Sequence, residues 1–350
     1  ALDGKTTGTV TVDILEDTFL EVSALDALDN ADVDISNAAI TVTNAVSKAN
    51  ADTLNGFTGG LVTLKSVQDT NANVVLIDAM TDSEVLMNTA VVTVTDAVSK
   101  AQADTLNGFT NAKVTLNSVE DNYANIQLIK DIGNTAVDMD AAAIKVTDDV
   151  NKTKVDDLRT DTTGDITLTS ITEDKGDLAT INGFTDVILS TANITVTDTV
   201  DKSEADTIDA YSNTSGTVTL TSITDTVSNV TTVENNANIS LDTSTITVTD
   251  AASFATADAI NGFTTGKVTL NSVEDTYAKI QDIKSIADSE VDMGAAAVKV
   301  TNNVTKTEVD DLRTDTTGNI TLTSLTEDKA DLATINGFTD VILSTANITV

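Results

Sequence analysis

Short runs in which every second residue is aliphatic recur along the chain: ITVT from Ile40, KVTLNSV from Lys113, DVILS from Asp186 and ITVTD from Ile194. A period of two is that of a strand with one buried face, so in Ile194-Thr195-Val196-Thr197 the aliphatics point inward and the threonines outward. Between these runs lie segments such as ADTLNGF from Ala51 and DLATINGF from Asp177. Their Ala, Leu and Phe positions fit one or two helical turns, and the Asn-Gly pair supplies a stop. The pattern predicts coils, each a strand followed by a short helix or bent loop.

The coils repeat. A motif G-x-[VI]-T-[LV] places its last residue at Val12, Leu64, Leu116, Leu168, Leu220, Leu270 and Leu322, a step of 52 broken once by 50. A second motif, [IV]-x-V-T-[DN], has its valine at Val42, Val94, Val146, Val196, Val248 and Val300, and returns at Val350. Each module reads as two related coils, because ATINGFTD from Ala179 follows the first strand of its module whereas ADTLNGFT follows the second. A block from Val155 returns nearly unchanged from Val309, an offset of 154, or three modules.

One coil cannot bury its apolar face alone, and stacking on the next coil does so. The predicted fold is therefore mainly β with short helices: residues 1–350 form one continuous parallel β-solenoid with LRR-like or β-helix-like coils, in about seven modules of ~52 residues. The alternative is a string of β-sandwich domains, which need about 100 residues and seven strands each. A super-repeat of three modules and the lack of Pro-rich or Gly/Ser-rich linkers speak for the solenoid. Ala1-Leu2-Asp3-Gly4 stands in the phase of Thr53-Leu54-Asn55-Gly56, so the chain is expected to be a segment of a longer repeat protein.

Composition narrows the chemistry. Aromatics make up 3% and Trp, His, Cys and Pro are absent, while 40% of the residues are apolar, which suits narrow layers of aliphatic side chains. Against 55 acidic residues stand 19 basic ones, and the net charge of −36 repels nucleic acid and anionic membranes and favours cations. Without Cys there are no disulfides, and without His the usual general base and transition-metal ligand are missing. No apolar run approaches the roughly 18 residues that span a bilayer. Neither a G-x-S-x-G elbow nor a Gly-rich phosphate loop occurs, and the acids return in every module where a catalytic pair should occur once. The expectation is a protein that is not an enzyme and has no cofactor other than calcium.

The recurring acids are the candidate site. Asp96, Asp148, Asp198 and Asp250 follow the V-T strand, and Asp121, Asp174, Asp225, Asp275 and Asp328 follow the other. Stacked coils would set these carboxylates in rows of like charge. A hard cation relieves such a row, and calcium takes carboxylate, carbonyl and Asn oxygens. Aspartates that follow a strand also cap helices and turns, which accounts for most of them without an ion. The T-x-T pairs, among them Thr41/Thr43, Thr93/Thr95, Thr195/Thr197, Thr219/Thr221 and Thr247/Thr249, would form outward threonine rows such as ice-binding solenoids present. Lys145 and Lys299 interrupt them, and strand propensity explains threonine there. The sequons at Asn151, Asn193, Asn213, Asn229, Asn238, Asn303, Asn319 and Asn347 arise by chance in so Asn- and Thr-rich a chain.

The stretch ALDGKTTGTVTVD, with ADTLNGFT and STANITVTD further on, resembles the repeats of very large extracellular surface or adhesin-type proteins of marine bacteria and cyanobacteria. In that group such repeats accompany RTX-type calcium-binding nonapeptide domains and export by type I secretion. This chain has no G-G-x-G-x-D nonapeptide. The resemblance implies an extracellular or cell-surface structural protein, self-associating into a filament, surface layer or matrix fibre. The rival expectation is a spacer stalk in a giant adhesin or phage-type fibre; a polysaccharide-acting β-helix enzyme would need a unique acidic cluster, and none breaks the repeat.

Overall fold

The computed structural model describes residues 6–28, 32–81, 83–212, 216–287 and 289–350. The phase of Ala1-Leu2-Asp3-Gly4 and the sequon at Asn213 lie outside the described residues. The chain divides into two compact units, Ala1–Thr169 with Phe184–Ile188, and Ser170–Gly183 with Leu189–Val350.

In unit 1 the strands Ala39–Val46, Val62–Asp69, Val91–Val98, Val114–Asp121 and Ala143–Val150 alternate with helices α1 (Phe19–Asp26), α2 (Lys48–Phe57), α3 (Asn71–Asp78), α4 (Lys100–Phe109), α5 (Tyr123–Lys130) and α6 (Lys152–Asp161). Neighbouring strands run parallel in registers that stack like on like: Ile40 on Val62, Val42 on Leu64, Val92 on Val114 and Val119 on Ile144. These inward aliphatics are at most 2% exposed, and threonines such as Thr41 and Thr43 face out between them, as the period of two predicts. A longer and a shorter coil alternate. The longer one carries an additional two-residue strand, Val85–Leu86 or Val137–Asp138, and a tight turn closed by Ala90 N–H to Met87 O or by Ala142 N–H to Met139 O.

Unit 2 repeats the scheme with strands Asn193–Val200, Val218–Asp225, Thr245–Ala252, Val268–Asp275, Ala297–Val304 and Ile320–Thr326 and helices α7 (Lys175–Asn182), α8 (Lys202–Ser212), α9 (Val227–Glu234), α10 (Phe254–Asn261), α11 (Tyr277–Ser285), α12 (Lys306–Asp315) and α13 (Lys329–Ile335). Its strands are also all parallel, with Ile194 on Val218 and Ile246 on Val268.

Each helix starts directly after its strand because a capping residue stands there. Ser47, Thr70, Ser99, Asn122 and Thr226 accept the N–H three residues on, one of the donors that a helix start leaves unpaired. One apolar pair at i and i+3 then holds the helix down: Ala51/Leu54, Val74/Ile77, Ala103/Leu106 and Ile126/Ile129 in unit 1, Leu178/Ile181 and Val230/Val233 in unit 2, all buried. Fully burying one such aliphatic side chain is worth about 1.5–3 kcal/mol.

Two expectations are corrected. The fold is not mainly β: thirteen helices among the described residues, one in each coil, hold about as many residues as the strands, so this is an α/β repeat of LRR-like type. The β-sandwich alternative falls as well, since sandwich sheets are antiparallel and the strand pairings among the described residues are parallel. The helices are faint in the sequence because only two positions per helix are obligatorily apolar, leaving Asn, Asp, Thr and Gly elsewhere. Nor does Asn-Gly always stop a helix. Asn182-Gly183 and Asn261-Gly262 end α7 and α10, whereas Asn55-Gly56 and Asn107-Gly108 lie inside α2 and α4.

Candidate functional site

The nine predicted aspartates fall into three structural positions. Asp96, Asp198 and Asp250 sit where the strand register shifts, between Val94 and Ala97, Val196 and Thr199, and Val248 and Ala251. A shift of this kind leaves residues out of the ladder and re-aims their side chains. Each then reaches back to the coil before it: Asp96 Oδ1 accepts the N–H of Asn71 at 2.6 Å, Asp198 that of Lys175 at 3.0 Å and Asp250 that of Val227 at 2.7 Å. Asp148, on its own strand, takes Tyr123 N–H at 2.7 Å. These donors are the first residues of α3, α7, α9 and α5. Asn44 and Asn302 do the same for Phe19 and Tyr277 through amide oxygens at 2.8 and 2.7 Å.

Asp121, Asp225 and Asp275 end their strands and use both oxygens. Asp121 Oδ2 accepts from Lys100 N–H at 2.9 Å, the first residue of α4 in the preceding coil, while Oδ1 accepts from Asn122 N–H and Asn125 Nδ2, each at 2.8 Å. Asp225 repeats this with Lys202, Thr226 and Asn229, and Asp275 takes Phe254 N–H and Thr276 N–H. Asp69, which the motifs did not single out, belongs here, bound by Lys48 N–H, Thr70 N–H and Asn73 Nδ2, all at 2.8 Å. Burial works against the charge on Asp69, Asp121 and Asp225, but the donors outweigh it and hold all three carboxyls below the ordinary aspartate value.

Asp174 and Asp328 were grouped with these by sequence but stand one residue later. They are the N-caps of α7 and α13, accepting Asp177 N–H at 2.8 Å, and Ala330 and Asp331 N–H at 2.8 and 2.9 Å. Glu327 fills the strand-end slot in its coil, accepting Lys306 N–H.

The rows of acid thus meet helix starts. A helix N-terminus carries about half a positive charge, which offsets the like-charge repulsion the rows would otherwise suffer. Capping was expected; what the sequence did not show is that most of these carboxylates cap the helix of the coil before their own. Among the described residues one acidic group, Glu173, Asp174 and Asp177, brings carboxylate oxygens within 4.8 Å of one another. Of the predicted set it contains Asp174 alone.

A second recurring device was missed. Thr58, Thr110, Thr162 and Thr316 are buried, and each hydroxyl donates to the carbonyl of Ala38, Ala90, Ala142 or Ala296 at 2.6–2.7 Å. The same oxygens accept the N–H two residues on, from Gly60, Ala112, Gly164 and Gly318. The glycine of G-x-[VI]-T-[LV] follows from this crowding, since a Cβ on Gly164 would lie 2.3 Å from Ala142 O. Ala112 takes that place in one coil, so the motif is a preference. The sequence signal was T-x-[GA] just before each first strand.

On the outward face of the sheet in each unit, Thr41 stands beside Thr63 and Thr93 beside Thr115, and in unit 2 Thr195 beside Thr219 and Thr247 beside Thr269. Where Lys145 and Lys299 replace threonine, they pair with Glu120 and Glu274 of the neighbouring strand at 2.7 Å, so each substitution is matched by an acid. Aromatic groups tie successive coils too. Tyr123 donates to Asp157 and Tyr277 to Asp311, both at 2.9 Å, and Arg159 lies 3.7 Å over Phe184 while pairing with Asp186.

Comparison with protein-family models, curated proteins and solved structures finds no match.

Proposed function

We propose that this chain is a structural repeat protein of the cell exterior, contributing to a filament, surface layer or matrix fibre, with a mechanical rather than a catalytic role. The observation that carries the proposal is that the polar side chains recurring from module to module are bonded coil to coil: Asp96 to α3, Asp121 to α4, Thr162 to Ala142 O. A sequence that repeats what stacking requires grows by adding modules, and stacked coils present edges and faces suited to self-association. The charge of −36 selects cations as partners over nucleic acid. Calcium between the acidic surfaces of neighbouring copies would let them approach. No helix among the described residues is long and apolar enough to cross a membrane.

The second reading is a spacer stalk of a giant adhesin or phage-type fibre. It is favoured by the outward sheet face, where Lys145–Glu120 and Lys299–Glu274 cancel their charges. Electron microscopy of the native material with calcium and after chelation separates the two. Ordered filaments or sheets that fall apart under chelator support the assembly; single particles in both conditions overturn it in favour of the stalk.

A further inference from the structure

Asp69, Asp121 and Asp225 each receive three donors drawn from two successive coils. An ionised carboxylate satisfies all three. Protonation fills a free lone pair and turns one charged oxygen into a hydroxyl, a much poorer acceptor, so the bond to that oxygen loses its charge assistance and is weakened. The bond open to this is the one to the preceding coil, because Oδ2 holds a single partner there, whereas Oδ1 is fixed by two donors of its own coil. The capping side chain of the preceding helix cannot replace it: Ser47 and Ser99 are engaged with the third N–H of α2 and α4, and Asp201 with Glu204 N–H in α8. In contrast α1 and α11 are held to the following strand by the amide oxygens of Asn44 and Asn302, which gain no proton in this range.

We propose that Asp69, Asp121 and Asp225 are acid-released latches that free the starts of α2, α4 and α8 on protonation, whereas α1 and α11, latched by asparagine, stay attached. The charged groups on the packed helices are Lys48 with Asp52, Lys100 with Asp104 and Lys202 with Asp206, each pair closed on itself. On the strands that follow stand Asp96, Asp148 and Asp250, which face the next helix starts. Because the three carboxyls titrate below the ordinary aspartate value, the latches are complete above that value and are lost as the pH falls through the lowered ones.

Hydrogen exchange of the full chain at neutral pH and at steps below about pH 4, corrected for intrinsic rates, tests this. Peptides covering the first turns of α2, α4 and α8 should exchange roughly tenfold faster for each unit by which the latch carboxyl was lowered, with α1 and α11 unchanged. Equal loss of protection at all helix starts, or earlier loss at α1 and α11, overturns the proposal. In Asp121→Ala, α4 should be open already at neutral pH and gain nothing further in acid; acid release of α4 as in the unaltered chain would also overturn it.

Discussion

The helices of the longer coils look alike from inside and unlike from outside. In unit 1, α3 and α5 expose Leu76 and Leu128, about half accessible at 53% and 50%. At the same helical position in unit 2 stand Thr180, Thr232 and Asp282. The inner pairs, Val74/Ile77 and Ile126/Ile129 against Leu178/Ile181, Val230/Val233 and Ile280/Ile283, are buried and aliphatic in both units. Stacking therefore dictates two positions per helix plus its capping groups, and leaves the outward face free to vary.

The sharpest way to break this comparison is to truncate both faces of one helix. Ile126→Ala empties a fully buried site and should cost about 2–5 kcal/mol in urea unfolding. Leu128→Ala, two residues away and half exposed, should stay within about 0.5 kcal/mol. Equal losses would mean that the outer leucines are covered by something and that the two faces are not different in kind.

The two aspartate positions sharpen the point at a smaller scale. Asp121→Asn must aim Nδ2 either at Lys100 N–H or at the Asn122 and Asn125 donors, leaving a donor unmet at a cost of about 1–3 kcal/mol. Asp96→Asn should change stability by less than about 0.5 kcal/mol, because one oxygen does the capping and Asn44 and Asn302 already fill that role. Chemical denaturation of both variants checks it, and a costly Asp96→Asn would show that charge rather than the acceptor matters there. Thr162→Val belongs beside these: it removes a buried donor to Ala142 O and the acceptor of Gly164 N–H, and should lose about 1–3 kcal/mol, while outward Thr197→Val should be nearly silent.

Much of this fold is legible in the sequence. The period of 52, the strand positions and the inward aliphatics follow from spacing alone, since a two-residue period leaves one choice of buried face. The [DN] alternation of the second motif finds its reason in the structure, where Asp96 and Asn302 each offer one oxygen to the first N–H of a helix. What sequence could not give was the partner. Asp96 lies 25 residues from Asn71, and only stacking makes them neighbours. The slip at Asp174 and Asp328 has the same root: Glu173-Asp174 and Glu327-Asp328 offer two adjacent acids, and the motif alone does not say which one ends the strand. Asp69 was missed because Gln68 stands where other modules have an acid or threonine.

The smallest effect comes from the near-duplicate coils that carry tyrosine. Burial, then the hydrogen bond to Asp311 and the charges of Asp311, Glu308 and Asp315, push the Tyr277 phenol from 10.0 up to about 12. A raised folded value means that stability is complete below the unfolded tyrosine value and is lost as the pH rises toward about 12, because the unfolded chain gives up its proton first. Tyr277→Phe should therefore flatten the alkaline fall in stability while costing only about 0.5–1.5 kcal/mol at neutral pH for the lost bond to Asp311. Absorbance titration of the phenolates, with unfolding followed at each pH, reads both quantities. A Tyr277 that ionises in the ordinary range would show that Asp311 is turned to solvent, and that this tie between α11 and α12 contributes nothing to holding the coils together.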